Sequence, residues 1–198
     1  MGRGFTTYRF ARLLLPAIFA VLLSGIAATS HSAEETAFDL GGNPVNPLKM
    51  ASGKVVVLLF VRTDCPVANR YAPTIQRLST AYANKAAFWL VYPSKAESAE
   101  AIRRHERAYG YKIPALRDPR HVLVKESQAQ ITPEAAVFAA NGKLIYHGRI
   151  DDLYVDMTRA RTAATTHDLD DAIQAALSGK PLTIQTKPAV GCYISDLE

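Results

Sequence analysis

The chain has 198 residues, 48% of them hydrophobic and 21% charged, with 23 basic against 18 acidic side chains and a formal net charge of +5. Three of the basic residues, Arg3, Arg9 and Arg12, fall within the first 33 positions, which hold no acid, so the remainder carries 20 basic against 18 acidic residues and no basic stripe. That balance argues against nucleic-acid binding, and the length beyond position 33 suits one domain with its own core.

In chain order, the positive segment is followed by an apolar stretch from Leu13 to Ala28 that ends in Gly25-Ile26-Ala27-Ala28. A basic segment, an apolar segment and small residues form the pattern of a secretory signal peptide, here residues 1–33, with cleavage expected between 27 and 33. The apolar stretch counts 16 residues, short of the ~20 that span a bilayer as a helix. An uncleaved N-terminal anchor is the alternative, and this segment is the only membrane association expected. The protein is thus expected to be exported, periplasmic or extracellular. Residues 34–198 would form the working domain, with a cysteine-containing tail from about 180.

Val55–Val61 is a β-branched, apolar run that reads as a buried parallel strand. Arg62-Thr63-Asp64 follows as a short turn, and Cys65-Pro66 opens a helix expected from about Pro66 to Ala83, with Ile75, Leu78 and Tyr82 on one face. Pro66 suits the first helical position, and Pro73 predicts a kink or a late start. Ala87–Tyr92 reads as a second buried strand, Ala96–Tyr109 as a polar-faced helix ending near Gly110, and His121–Ser127 as a short helix. Glu134–Ala140 and Leu144–Arg149, separated by Asn141-Gly142-Lys143, read as a hairpin. A last helix is expected from about His167 to Leu177, capped by Thr165 or Thr166 and stopped at Gly179. Leu169, Ile173, Ala176 and Leu177 would form its buried face. This order implies an α/β domain: one sheet with helices on both faces.

The chemistry centres on Cys65. A thiol between strand and helix faces free backbone N–H groups and the positive end of a helix dipole, which favours the thiolate. The plain alternative is a buried structural cysteine. Cys192 is the only other thiol. Two cysteines in an exported protein invite a disulfide. Either the tail folds back and Cys192 resolves an oxidised Cys65, or the bond only pins the tail, or the thiols stand too far apart to pair. Arg62, Arg70 and Arg149 are each candidates to stabilise a thiolate. Asp64 either orients water or shuttles a proton, or it caps the turn and opposes thiolate formation. Asp151 and Asp152 are expected to make turn hydrogen bonds and a salt bridge with an arginine. His167 reads as a helix-start residue in a polar turn.

Beyond these pieces, the chain resembles thioredoxin-like proteins of the redoxin or peroxiredoxin-like family, from about Leu40 to Ile194. The resemblance rests on Asp64-Cys65-Pro66, Thr132-Pro133, the run from Asn141-Gly142-Lys143 to Asp151-Asp152, His167-Asp-Leu-Asp-Asp-Ala-Ile, Gly179-Lys-Pro181 and Gly191-Cys192-Tyr-Ile194. It implies a thioredoxin-like fold, a central mixed β-sheet flanked by α-helices. It also implies that Cys65 is the nucleophile and that Pro133, after Thr132, is a cis-proline packed against the sulfur. Arg62 and Thr63 would help bind the substrate. The implied activity is thiol–disulfide exchange or peroxide reduction, with a peroxide or protein disulfide as substrate, an external thiol as reductant and no cofactor. Two positions depart from the pattern: Ala68 replaces the second cysteine of Cys-x-x-Cys, and Arg62 stands where peroxiredoxins carry threonine. A different expectation follows from resemblance to Sco-type copper chaperones. Asn69 breaks their cysteine pair, but Cys65, Cys192 and His167 would still suit Cu(I). A third is a non-catalytic binding module with an unreactive Cys65.

Overall fold

The computed structural model describes residues 1–4, 36–51, 53–179 and 185–195, and the leader-like stretch lies outside them. Residues 34–198 form one compact unit. Its elements are β1 (Ala37–Asp39), β2 (Pro44–Val45), α1 (Pro47–Met50), β3 (Val55–Phe60), α2 (Pro66–Ala81), β4 (Ala86–Tyr92) and α3 (Ala99–Tyr109). They continue with β5 (Ala115–Arg117), α4 (Val122–Ser127), β6 (Ile131–Thr132), β7 (Glu134–Phe138), β8 (Leu144–Gly148), α5 (Asp168–Leu177), β9 (Gln185–Lys187) and β10 (Cys192–Tyr193). Among the described residues no helix is long and apolar enough to cross a membrane.

The apolar run of β3 is buried along its whole length, because it stands at the centre of a mixed sheet of order β2-β1-β5-β4-β3-β7-β8-β9. β3, β4 and β5 run parallel, and β7 and β8 continue antiparallel. Alternate side chains of β3 enter two cores. Val55, Val57 and Leu59 meet Tyr71, Ile75 and Leu78 of α2, Ile102 of α3, and Leu169 and Ile173 of α5. Val56, Leu58 and Phe60 meet Leu123 and Val124 of α4 and Ile194 of the tail. The sheet is therefore covered on both faces, as the βα order requires.

Several expectations change in detail. α2 runs through Pro73 without a break. Pro73 lies on the exposed side, and the buried Tyr71, Ala72, Ile75 and Leu78 hold the helix on either side of the hydrogen bond it lacks. α3 starts at Ala99, where the Ser98 hydroxyl accepts the Ala101 N–H at 3.1 Å, and ends at Gly110 in the left-handed region (φ 69°). Neither Thr165 nor Thr166 caps α5. His167 takes the cap position without a side-chain hydrogen bond, because the backbone N–H groups of both threonines are drawn to Asp152 Oδ1, at 2.6 and 2.9 Å. Leu177, expected in the core, is exposed at the end of α5. The hairpin turns as expected, with Gly142 at φ 80° and its N–H bonded to the Ala139 carbonyl at 2.8 Å.

Candidate functional site

Cys65 closes the loop between β3 and α2. Its backbone is extended (φ −86°, ψ 109°), which makes it the N-cap of α2, and Pro66 occupies the first helical position. The cap is made by sulfur: the Ala68 N–H points at Cys65 Sγ at 3.5 Å. The helix head thus directs a donor at the sulfur, which favours negative charge there. The Cys65 thiol donates to the Thr132 carbonyl at 3.0 Å. The Thr132–Pro133 bond is cis, and both residues are buried. Cys65 itself has no exposed surface.

Cys192 comes to the same place from the other end of the chain. β10 pairs antiparallel with β6, and the register sets Cys192 opposite Thr132, the residue whose carbonyl accepts the Cys65 thiol. Thr132 Oγ1 donates to the Cys192 carbonyl at 3.3 Å, and the Ile194 N–H to the Gln130 carbonyl at 2.9 Å. β6 is held in turn by Glu134, whose Oε2 accepts the N–H groups of Gln130 and Ile131 at 2.9 and 3.1 Å. Gly191 is demanded by close approach, since a Cβ there would lie 2.0 Å from the Thr132 oxygen. The Cys192 side chain packs against the core cluster that contains Cys65, and both thiols are free. Burial, followed by the hydrogen bond and charge of Cys65, pushes the Cys192 thiol up to about 11, against the pull of Arg62. Cys192 therefore keeps its proton at neutral pH.

A polar network holds the loop that precedes Cys65. The Thr63 N–H donates to Glu97 Oε1 at 2.6 Å, and Asn69 Nδ2 donates to the Thr63 carbonyl at 3.1 Å. That bond fixes Asn69 Oδ1 toward His105 Nε2, 2.7 Å away. An amide oxygen only accepts, so Nε2 carries the hydrogen and Nδ1 accepts from the Tyr92 hydroxyl at 2.8 Å. His105 is then neutral, in line with burial pushing its titration down. Glu97 is buried, its Oε2 lacks a hydrogen-bond partner, and desolvation raises its carboxyl above the usual range despite the Thr63 N–H.

Of the remaining residues singled out in the sequence, Arg62 joins the two halves. Its Nη2 pairs with Asp64 Oδ2 at 2.8 Å and its Nη1 reaches the Tyr193 carbonyl at 3.4 Å. Asp64 is exposed and held by that ion pair. Thr63 contributes backbone groups to the loop network. Arg149 does not join the site: Asp168 Oδ2 binds its Nε at 2.8 Å and Thr166 its Nη2 at 3.3 Å, at the head of α5. Arg70 is exposed on α2. Asp152 pairs with Arg161 at 3.2 Å and Asp151 accepts the Leu153 N–H at 2.9 Å, as their turn position suggested. His167 is exposed at the start of α5 and is not gathered with the cysteines. Among the described residues no three histidine, cysteine or acidic side chains are grouped to hold a metal ion, so the set Cys65, Cys192 and His167 is not assembled.

The sequence did not mark Glu97, His105 and Tyr92 or the role of Asn69 on the loop side, nor the roles of Gly191 and Ile194 on the tail side. The tail pair lay within a visible Gly191-to-Ile194 motif, but the reason for it is the register with β6.

Residues 25–164 match the Redoxin family. The chain belongs to that family. Cys65 lies within the matched redoxin residues and Cys192 beyond them. A hypothetical protein from Sinorhizobium meliloti 1021 is similar at 26% identity and a TM-score of 0.66, covering 80% of this chain and 88% of that one. An uncharacterized conserved protein from Geobacillus kaustophilus is similar at 24% identity and a TM-score of 0.68, covering 81% and 88%. A secreted Mycobacterium tuberculosis disulfide oxidoreductase homologous to E. coli DsbE reaches a TM-score of 0.52 at 20% identity, covering 73% and 95%. The redoxin domain here thus has a thioredoxin-like fold. No curated protein matches the chain.

Proposed function

We propose that this redoxin is a thiol–disulfide oxidoreductase that works through a reversible Cys65–Cys192 disulfide, outside the cytoplasm if its leader-like segment directs export. The observation that carries the reading is the β6–β10 register, which sets Cys192 across from Thr132 while Thr132 accepts the Cys65 thiol. Cys65 thiolate attacks one sulfur of a substrate disulfide, forms a mixed disulfide and expels the other sulfur as thiolate. Cys192 then attacks the Cys65 sulfur, its proton passes to the departing thiolate, and the Cys65–Cys192 bond remains. An external dithiol reverses the last bond. The two sulfurs carry both electrons, so the reading calls for no cofactor.

A second reading follows from the complete burial of Cys65, which suits a small oxidant. Here the thiolate attacks a peroxide oxygen, becomes a sulfenic acid and releases hydroxide, and condensation with Cys192 expels water to give the same disulfide. Intact mass and thiol counting test both readings. Oxidised glutathione or one equivalent of hydrogen peroxide should remove both thiols and the mass of two hydrogens. Whichever oxidant acts faster at equal concentration names the substrate class. Two thiols that persist under both oxidants would overturn the proposal.

A further inference from the structure

A substrate disulfide must bring a sulfur into line with Cys65, yet Cys65 has no exposed surface. Its surroundings are not equally firm. β3 and α2 belong to the main core, but β10 is two residues long and pairs with β6 alone. Past that pairing the tail is held by the Ile194 N–H on the Gln130 carbonyl at 2.9 Å, by the Thr132 hydroxyl at 3.3 Å, by Arg62 at 3.4 Å and by the Ile194 side chain, which is 5% exposed in the core beside α4. The Tyr193 side chain, between Cys192 and Ile194, is 75% exposed, and its backbone carbonyl is the atom that meets Arg62.

We infer that β10 is a displaceable cover on Cys65, seated by Gly191 and plugged by Ile194, and that its return to β6 delivers Cys192 to the mixed disulfide. The inference rests on the thiol–disulfide reading above. β10 leaves β6, Cys65 thiolate attacks the substrate disulfide, and the first substrate thiolate departs. β10 then pairs again with β6, Cys192 attacks the Cys65 sulfur, and the second substrate thiolate leaves with the Cys192 proton. One seat brings Cys192 opposite Thr132. Gly191 defines it, because a Cβ would meet the Thr132 oxygen at 2.0 Å and its carbonyl carbon at 2.7 Å, backbone atoms that have no room to give. Gly191 and Ile194 are positioning residues. They act on the chemistry only through where they place Cys192.

Iodoacetamide labelling of Cys65 tests the cover. It is done on the full chain carrying Cys192→Ser, alone and with Gly191→Ala or Ile194→Ala added. Loss of the plug should raise the labelling rate about 10- to 100-fold, as expected when a local opening is eased without global unfolding. Exchange of the Ile194 amide should quicken in parallel while the thermal transition of the core stays in place. In chains that keep Cys192, Gly191→Ala should prolong the mixed disulfide formed with oxidised glutathione. Unchanged labelling in both tail variants overturns the cover, whether or not the disulfide forms. Raised labelling in a protein that never forms a Cys65–Cys192 bond keeps the cover and overturns the oxidoreductase reading instead.

Discussion

The junction that carries Cys65 and the tail that carries Cys192 are built by opposite means. Cys65 is placed by its own neighbourhood: a strand buried on both faces, a proline that starts the helix, and a loop tied to Glu97, Asn69 and His105. Cys192 is placed by a partner 60 residues away, through a two-residue pairing, a glycine and one buried side chain. The proposed nucleophile thus sits on elements of the main core, and the second thiol on the short strand proposed to leave. Their electrostatics differ in the same sense. The helix head aims the Ala68 N–H at Cys65, whereas burial and the Cys65 sulfur push Cys192 up to about 11. Once Cys65 is bound in a mixed disulfide, its hydrogen bond and charge no longer oppose ionisation of Cys192. In the proposed reaction, Cys192 is therefore released for ionisation at the step that needs it.

The largest test of this division is removal of either sulfur. Cys65→Ser should lower disulfide turnover on the order of 10³-fold or more, since the remaining thiol, Cys192, does not cap α2 and burial opposes its ionisation. Cys192→Ser should retain the first step and stall, so that one equivalent of mixed disulfide accumulates. Equal single-turnover loss in the two variants would dissolve the contrast. A smaller effect sharpens it: the Cys192 thiol, pushed up to about 11 by burial and then by Cys65, should show a lower pH midpoint for alkylation in Cys65→Ser than in the parent, because a neutral hydroxyl replaces the sulfur. Smaller again, Asn69→Ala should cost about 1–3 kcal/mol in urea unfolding, because it leaves His105 Nε2–H and the Thr63 carbonyl without partners. If the tail were as firmly built as the junction, loosening the junction in this way would leave the Ile194 amide no less protected than before relative to the core.

The sequence made the junction legible and the tail's placement illegible, for physical reasons. Val55–Val61, Cys65-Pro66, Gly110 and Asn141-Gly142 are local signals, and each governs the chain within a few residues. β5, β6, β9 and β10 are two or three residues long, too short for a period to show. The β6–β10 register decides whether Cys192 meets Cys65, and nothing in the hydropathy of Gly191-Cys192-Tyr193-Ile194 states it. Arg149 looked as able as Arg62 to serve a thiolate, and only the position of Asp168 separates them. Thr165 and Thr166 looked like helix caps because the pattern is local, but Asp152 takes their N–H groups from 13 and 14 residues upstream. Glu97 fell within the polar-faced helix expected from Ala96 to Tyr109, whereas the fold starts α3 at Ala99 and buries Glu97 against Thr63.

Glu97 supplies the finest test, because its acidity belongs to the junction and not to the tail. Desolvation raises its carboxyl above the ordinary value, with the Thr63 hydrogen bond opposing. Between the ordinary glutamate value of about 4.3 and that raised value, the folded chain holds a proton that the unfolded chain has released. Stability therefore falls as pH rises through this window and remains reduced above it. Glu97→Gln cannot ionise, while its amide oxygen still accepts the Thr63 N–H. The difference in unfolding free energy, variant minus parent, should accordingly shift in favour of the variant from about pH 4 to about pH 8. Taking this difference cancels the other raised carboxyls, Glu106, Asp118 and Glu126, which both proteins share. Labelling of Cys65 in the Cys192→Ser background should not change with Glu97→Gln, since the substitution leaves β10 seated. A pH-independent difference would mean that burial of Glu97 costs the junction nothing. A rise in labelling would mean that the loop and the tail open together, and the contrast between a rigid junction and a removable cover would then fail at its firm end.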